Sequence, residues 1–213
     1  MKNKIKINNY KTNHPLLEGV AAEPIQLAYF LNAIESITSD YPSMIELGVS
    51  DNPIYSSTFN DIFENECINI CSDILERQII SAKEKFKNAI YYHGYSGIPK
   101  HTGENLPNPN NPLEKVTERI KVKELMKLNR LNKIDILHFD LQGSEVTVLE
   151  ELKEDNLFDV IGYIFISIHN TYNECIDIIK TINCLDVLYS DPFNGGYGDG
   201  LIICKNKNFY VDI

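Results

Sequence analysis

The stretch His138-Phe-Asp140-Leu-Gln142-Gly143-Ser-Glu145 ends the apolar run Ile134–Phe139 and continues beyond it. A buried strand that ends in acids delivers them to one edge of a sheet. Two carboxylates there can hold a divalent ion, magnesium or manganese, or take a proton from an attacking hydroxyl. Gly143 allows a tight turn, and Gln142 adds a neutral hydrogen-bonding arm aimed at the same crevice. Ser144 and Glu145 equally suit the first turn of a following helix, where negative charge is favourable. His169-Asn170 closes a second apolar run, Val160–Ile168. If the two strands are neighbours, His169 emerges near Asp140 as a base or a metal ligand. His138 falls inside its strand and reads as a core or helix-facing residue.

Three earlier positions have the character of a ligand edge. Glu46-Leu-Gly48-Val-Ser-Asp51-Asn52 begins within the end of the short apolar run Ser43–Leu47. In an open α/β sheet ligands bind beyond the carboxyl ends of the strands, and a glycine there lets backbone approach a ligand closely. A dinucleotide turn asks for GxGxxG, and only Gly48 is present among Val49, Asn52 and Pro53, which weighs against a nicotinamide or flavin pyrophosphate. Glu46 beside Gly48 suits a cationic or amine-bearing ligand, although a strand-to-helix turn with a capping acid has the same composition. Asp73 follows the second strand, where an acid can accept hydrogen bonds from both hydroxyls of a ribose. It is also placed to cap a helix, and Ser72 and Glu76 are alternatives for the ribose role. Gly94 and Tyr95, after His93 at the end of a third strand, offer a place for an adenine ring to stack.

Elements of the right kind surround these residues. Pro24–Ile37 carries apolar side chains on one helical face. Ser43–Leu47, Cys67–Cys71 and Ala89–His93 are rich in strand formers, with a helix over Ile74–Phe86 between the second and third. Helices are expected over Lys121–Leu131, Ser144–Leu152 and Glu174–Ile182, flanking strands Ile134–Phe139 and Val160–Ile168. Asp186–Tyr189 and Leu201–Cys204, joined by a glycine-rich turn over 194–200, read as an antiparallel pair. The alternation predicts an α/β fold with a mostly parallel sheet, an antiparallel C-terminal strand and helices on both faces. The expectation is a single domain over 1–213, with an N-terminal helical extension over about 1–40. The Pro- and Asn-rich stretch 96–112 is either an insertion or a lid over an acceptor; Asn105, Asn108, Asn110 and Asn111 suit sugar hydroxyls.

Composition narrows the partners. Twenty basic side chains against 30 acidic ones give a net charge of −10 over 213 residues, which repels a phosphate backbone and disfavours nucleic acid. Five cysteines without a CxxC pair indicate neither a disulfide framework nor a structural zinc site, and fit a reducing cytoplasm. The longest apolar run is too short to span a bilayer, so no membrane partner is expected.

From Ser43 to the C-terminus, the order of ELG, strand, acid, strand, then KIDILHFDLQGSEVTVLEEL, IFISIHN and GDGLIICKN resembles the FkbM-type S-adenosylmethionine-dependent methyltransferases. The distinctive part is Asp135–Leu149, supported by His169 and by Asp199-Gly200. The resemblance implies a class I methyltransferase sheet. It implies S-adenosylmethionine near Glu46, Gly48 and Asp73, with Asp140, Glu145 and His169 near the acceptor, a hydroxyl of a sugar, glycan or small natural product. The second glycine usual in the first loop is replaced around Asn52-Pro53. Two other readings stay open: a nicotinamide-dependent oxidoreductase, and a noncatalytic binding module on the same fold.

Overall fold

The computed structural model describes residues 2–13, 23–51, 53–94, 96–97, 119–192 and 199–210. Two helices, α1 (Lys2–Asn13) and α2 (Glu23–Ser36), precede β1 (Ser43–Leu47). Then follow α3 (Ile54–Ile62), β2 (Ile68–Asp73), α4 (Glu76–Lys85), β3 (Ile90–His93), α5 (Val122–Leu128) and β4 (Ile134–Asp140). The chain continues through α6 (Glu145–Glu154), β5 (Ile161–His169), α7 (Tyr172–Lys180), β6 (Leu185–Asp191) and β7 (Asp199–Asn206). The strands form one sheet in the order β3-β2-β1-β4-β5-β7-β6. All pairings are parallel except those of β7, which runs antiparallel to both β5 and β6.

Helices cover both faces, so the central strands are apolar on both sides. Ile45 and Leu47 of β1, Leu137 and Phe139 of β4, and Ile164, Ile166 and Ile168 of β5 pack with α5, α6 and α7. The alternate residues Met44, Ile136, Tyr163 and Phe165 pack with α1, α2 and α3. This period-two division puts Glu46 and His138 on the α2/α3 face, side by side across β1 and β4.

Element boundaries differ from the sequence expectation where a left-handed residue or a cap intervenes. The helix expected over Lys121–Leu131 stops at Leu128, because Arg130 turns left-handed at φ 56° and Leu131 N–H donates to Met126 C=O at 2.9 Å. Asp73 is not a helix cap. It is the last residue of β2, and α4 starts three residues later with Leu75 at the cap position. The helix expected to begin at Glu174 begins at Tyr172, one residue after Thr171.

Candidate functional site

The chain builds β1, β2 and β3 outward to one side, then crosses to β4 and β5 on the other. The topological switch point therefore lies between β1 and β4, beyond whose carboxyl ends such sheets usually hold their ligand. Asp73, Asp140 and His169 end β2, β4 and β5 at that edge.

On the β4/β5 side, the chain leaves Asp140 through two successive left-handed residues, Gln142 (φ 51°) and Gly143 (φ 99°). That turn swings Glu145 back under β5, where its carboxylate is fully buried. Oε1 accepts the Gly143 N–H at 3.0 Å and lies 2.8 Å from His169 Nδ1; Oε2 accepts the Thr171 hydroxyl at 3.1 Å. An ionised carboxylate can only accept, so Nδ1 carries a proton in this pairing. The side-chain amide nitrogen of Gln142 lies 3.0 Å from Nε2, and Asp140 Oδ1 lies 3.4 Å from it. Asp140 is 40% exposed and His169 13%. The structure thus brings together Asp140, Glu145 and His169, with Gln142 and Thr171 completing the group.

The expected metal site does not fit this arrangement. Glu145 is occupied by three protein donors, one of them the ring nitrogen that faces it, and it has no solvent-facing oxygen. Among the described residues no group of three His, Cys, Asp or Glu side chains is disposed to hold an ion.

On the β1/β2 side, Gly48 adopts φ 76° and packs against β4. A Cβ at Gly48 would fall 1.9 Å from the Asp140 carbonyl oxygen, so the close approach that requires glycine is to the chain's own backbone. The N–H groups of Gly48 and Val49 both donate to Ser72 C=O, at 2.8 and 3.2 Å. Ser50, also left-handed at φ 52°, donates its N–H to Asp73 Oδ2 at 3.0 Å, and Leu75 N–H reaches Oδ1 at 2.8 Å. Asp73 is 5% exposed. Burial pushes its carboxyl above the ordinary value; the Leu75 and Ser50 N–H groups and His93 pull it back, and the Asp140 charge adds to the rise. Gly94 N–H donates to Asp73 C=O at 3.0 Å, placing the end of β3 beside this group. Tyr95 and Asn52 lie outside the described residues.

Glu46 stands apart from the crevice. Its carboxylate, 3% exposed, accepts from both the N–H and the hydroxyl of Ser56 on α3, and Oε1 lies 3.5 Å from His138 Nδ1. Gln26 of α2 places its amide nitrogen 2.9 Å from His138 Nε2. His138 is the helix-facing core residue expected of it.

Beyond Gly97, the covering role expected of 96–112 falls outside the described residues. The Ser96 hydroxyl donates to Ile120 C=O at 3.0 Å, and Gly97 packs against Ser144 at the start of α6. Thr171 and Ser56 escaped the sequence reading, since each is a hydroxyl whose partner acid is 26 or 10 residues away. No helix among the described residues is long and apolar enough to cross a membrane.

No family model and no curated protein sequence matches this chain. Solved structures do resemble it in fold. A Streptococcus pneumoniae protein described as a candidate tRNA methyltransferase, in complex with S-adenosyl-L-methionine, superposes with a TM-score of 0.51 at 6% identity, over 87% of this chain and 75% of that one. Precorrin-6y C5,15-methyltransferase from Geobacter metallireducens gives 0.50 at 10% identity, over 85% and 88%. A Streptococcus agalactiae protein of the NADB-Rossmann superfamily gives 0.51 at 8% identity, over 86% and 69%. At these identities the likeness is one of architecture: the chain has the Rossmann-like class I methyltransferase fold, a seven-stranded sheet with β7 antiparallel.

Proposed function

We propose that this chain is an S-adenosylmethionine-dependent O-methyltransferase acting on a hydroxyl of a sugar, glycan or small natural product. One observation carries the reading. Asp73 and Asp140 end β2 and β4 at the same edge of the sheet, beside His169 at the end of β5, whose Nδ1 faces the buried Glu145 carboxylate. Two carboxylates at that edge suit a ligand that bears positive charge and a vicinal diol. S-adenosylmethionine has both features, and when bound it supplies a methyl carbon on a cationic sulfur that keeps the bonding pair as the acceptor oxygen forms the new bond. The fit is one of donor sets: Asp73 accepts from the ribose hydroxyls, Asp140 faces the cationic end, and the end of β3 at Gly94 borders the adenine.

The remaining work belongs to the chain's own side chains. An acceptor hydroxyl is a weak acid, so its proton must leave as the oxygen attacks. His169 Nε2 receives it. Glu145, accepting from Nδ1–H, holds the ring in the tautomer that offers the Nε2 lone pair and balances the charge of the imidazolium that forms. Asp140 Oδ1 faces the new Nε2–H. Glu145 is thus a positioning residue, and His169 is the catalytic one. The FkbM resemblance of Asp135–Leu149 supports an oxygen acceptor and a glycan-like substrate.

The test is calorimetric titration with S-adenosylhomocysteine and, separately, NAD, followed by assay of labelled methyl transfer to a panel of glycosides. Binding of S-adenosylhomocysteine and methyl-ether formation are expected. NAD binding in its place restores the oxidoreductase reading, and binding of neither restores the noncatalytic one.

A further inference from the structure

We infer that Gln142 is a latch on the base: its amide N–H occupies the position on His169 Nε2 that the acceptor's O–H must take, so acceptor entry and unlatching are one exchange. The inference rests on the reading of His169 as the base.

Glu145 engages Nδ1 from within the fold, and Nε2 faces the exposed turn that carries Gln142. In the neutral ring that nitrogen is an acceptor, and the group opposite it at 3.0 Å is the Gln142 amide nitrogen, a donor. An acceptor hydroxyl approaching as a proton donor therefore competes for the same lone pair. Gln142 is exposed, so its side chain can swing into solvent without opening the core. Its backbone sits at φ 51°, a conformation that disfavours a residue with a Cβ. Glycine would relieve that conformation, but only a longer side chain can lay an amide over the ring.

Asp140 gives the exchange a direction. Once Nε2 has gained the proton it becomes a donor, and the amide N–H facing it becomes a second donor with nothing to bond. Asp140 Oδ1, 3.4 Å from Nε2, is an acceptor for that N–H. The neutral ring is thus matched to Gln142 and the charged ring to Asp140, and the latch re-forms only after the proton has left.

The test is the rate at which diethyl pyrocarbonate acylates His169, followed by peptide mass spectrometry at pH 7 on the full chain without ligands. Two variants are compared with the parent. Gln142→Gly removes the amide and suits the left-handed turn; Gln142→Asn also tolerates that turn but withdraws the amide by one methylene. Both should be acylated at His169 roughly two- to tenfold faster, the factor for losing one net hydrogen bond, with His93 as the unchanged internal reference. Equal rates in all three proteins, or acceleration in the glycine variant alone, overturn the latch. Neither reagent nor readout involves S-adenosylmethionine, so a failure of the methyltransferase reading shows in calorimetry and leaves this measurement intact.

Discussion

Two clusters, one within the sheet and one at its carboxyl edge, repeat one set of side chains. In the inner one, Ser56 bonds Glu46, Glu46 faces His138 Nδ1, and the Gln26 amide faces Nε2. In the outer one, Thr171 bonds Glu145, Glu145 faces His169 Nδ1, and the Gln142 amide faces Nε2. Hydroxyl, carboxylate, imidazole and amide follow in the same sequence of contacts. What separates the clusters is position along the strand. His138 lies two residues short of the end of β4 and is 4% exposed, and Gln26 is held on a helix packed over it. His169 is the last residue of β5, and Gln142 rides on an exposed turn. The inner set fastens α2 and α3 to the sheet; the outer set can trade its amide for a substrate. Residue chemistry alone does not mark a site, because access to the second ring nitrogen decides it.

The largest test of this contrast replaces each histidine. His169→Ala should cut methyl transfer by about 10²- to 10⁴-fold, the usual contribution of a positioned general base, while S-adenosylhomocysteine affinity changes little. His138→Ala should keep turnover within a few-fold and instead lower unfolding stability by roughly 1–3 kcal/mol, since it strands Gln26 and one side of Glu46 in the core. Denaturant melts beside single-turnover assays read both. The same loss of turnover in the two variants would erase the distinction.

Much of this was legible in the amino-acid sequence, for a physical reason. The runs Ile134–Phe139 and Val160–Ile168 are apolar because both faces of β4 and β5 are covered, and their ends mark where polar groups reach the edge; Asp140 and His169 follow from that. Glu46 was read onto the edge because it neighbours Gly48, but strand alternation turns its side chain to the α2/α3 face. The Gly48 turn was recognised, yet what it approaches, the Asp140 carbonyl, comes from β4 and is not written near it. Thr171 and Ser56 become partners of their acids only after long-range closure, and the occupied state of Glu145, which removes the metal reading, is visible only in the folded chain.

A second test uses Asp73, which belongs to neither cluster and so serves as the control for the crevice. Asp73→Ala should weaken S-adenosylhomocysteine binding roughly ten- to a hundredfold, the cost of about 1.5–3 kcal/mol for lost hydrogen bonds to a charged group. Binding needs the ionised carboxylate, and burial has raised its proton affinity. Affinity should therefore fall as pH drops through a value above the ordinary aspartate range. In Asp73→Asn, binding should already be weak and should lack that acid-side decline. An unchanged affinity in a folded Asp73→Ala protein would move the ribose contact to Ser72 or Glu76.

The smallest expected effects come from the two hydroxyls. Thr171→Val removes one donor from Glu145 and should lower turnover by a few-fold, corresponding to about 1 kcal/mol, because the carboxylate that aims His169 gains freedom. Ser56→Ala should cost a similar amount in thermal stability and leave turnover alone. If Thr171→Val changed only the melting temperature, the outer cluster would be as purely structural as the inner one.

Gly48 has a consequence for how much error the site can tolerate. With the Asp140 carbonyl where a Cβ would be, the loop after β1 and the acidic end of β4 share a partition one glycine thick. The separation of Asp73 from His169 is then set by backbone against backbone, the least compressible gauge a protein has. Alignment of donor and acceptor is built in during folding, and a ligand arriving on either side meets a fixed reference surface.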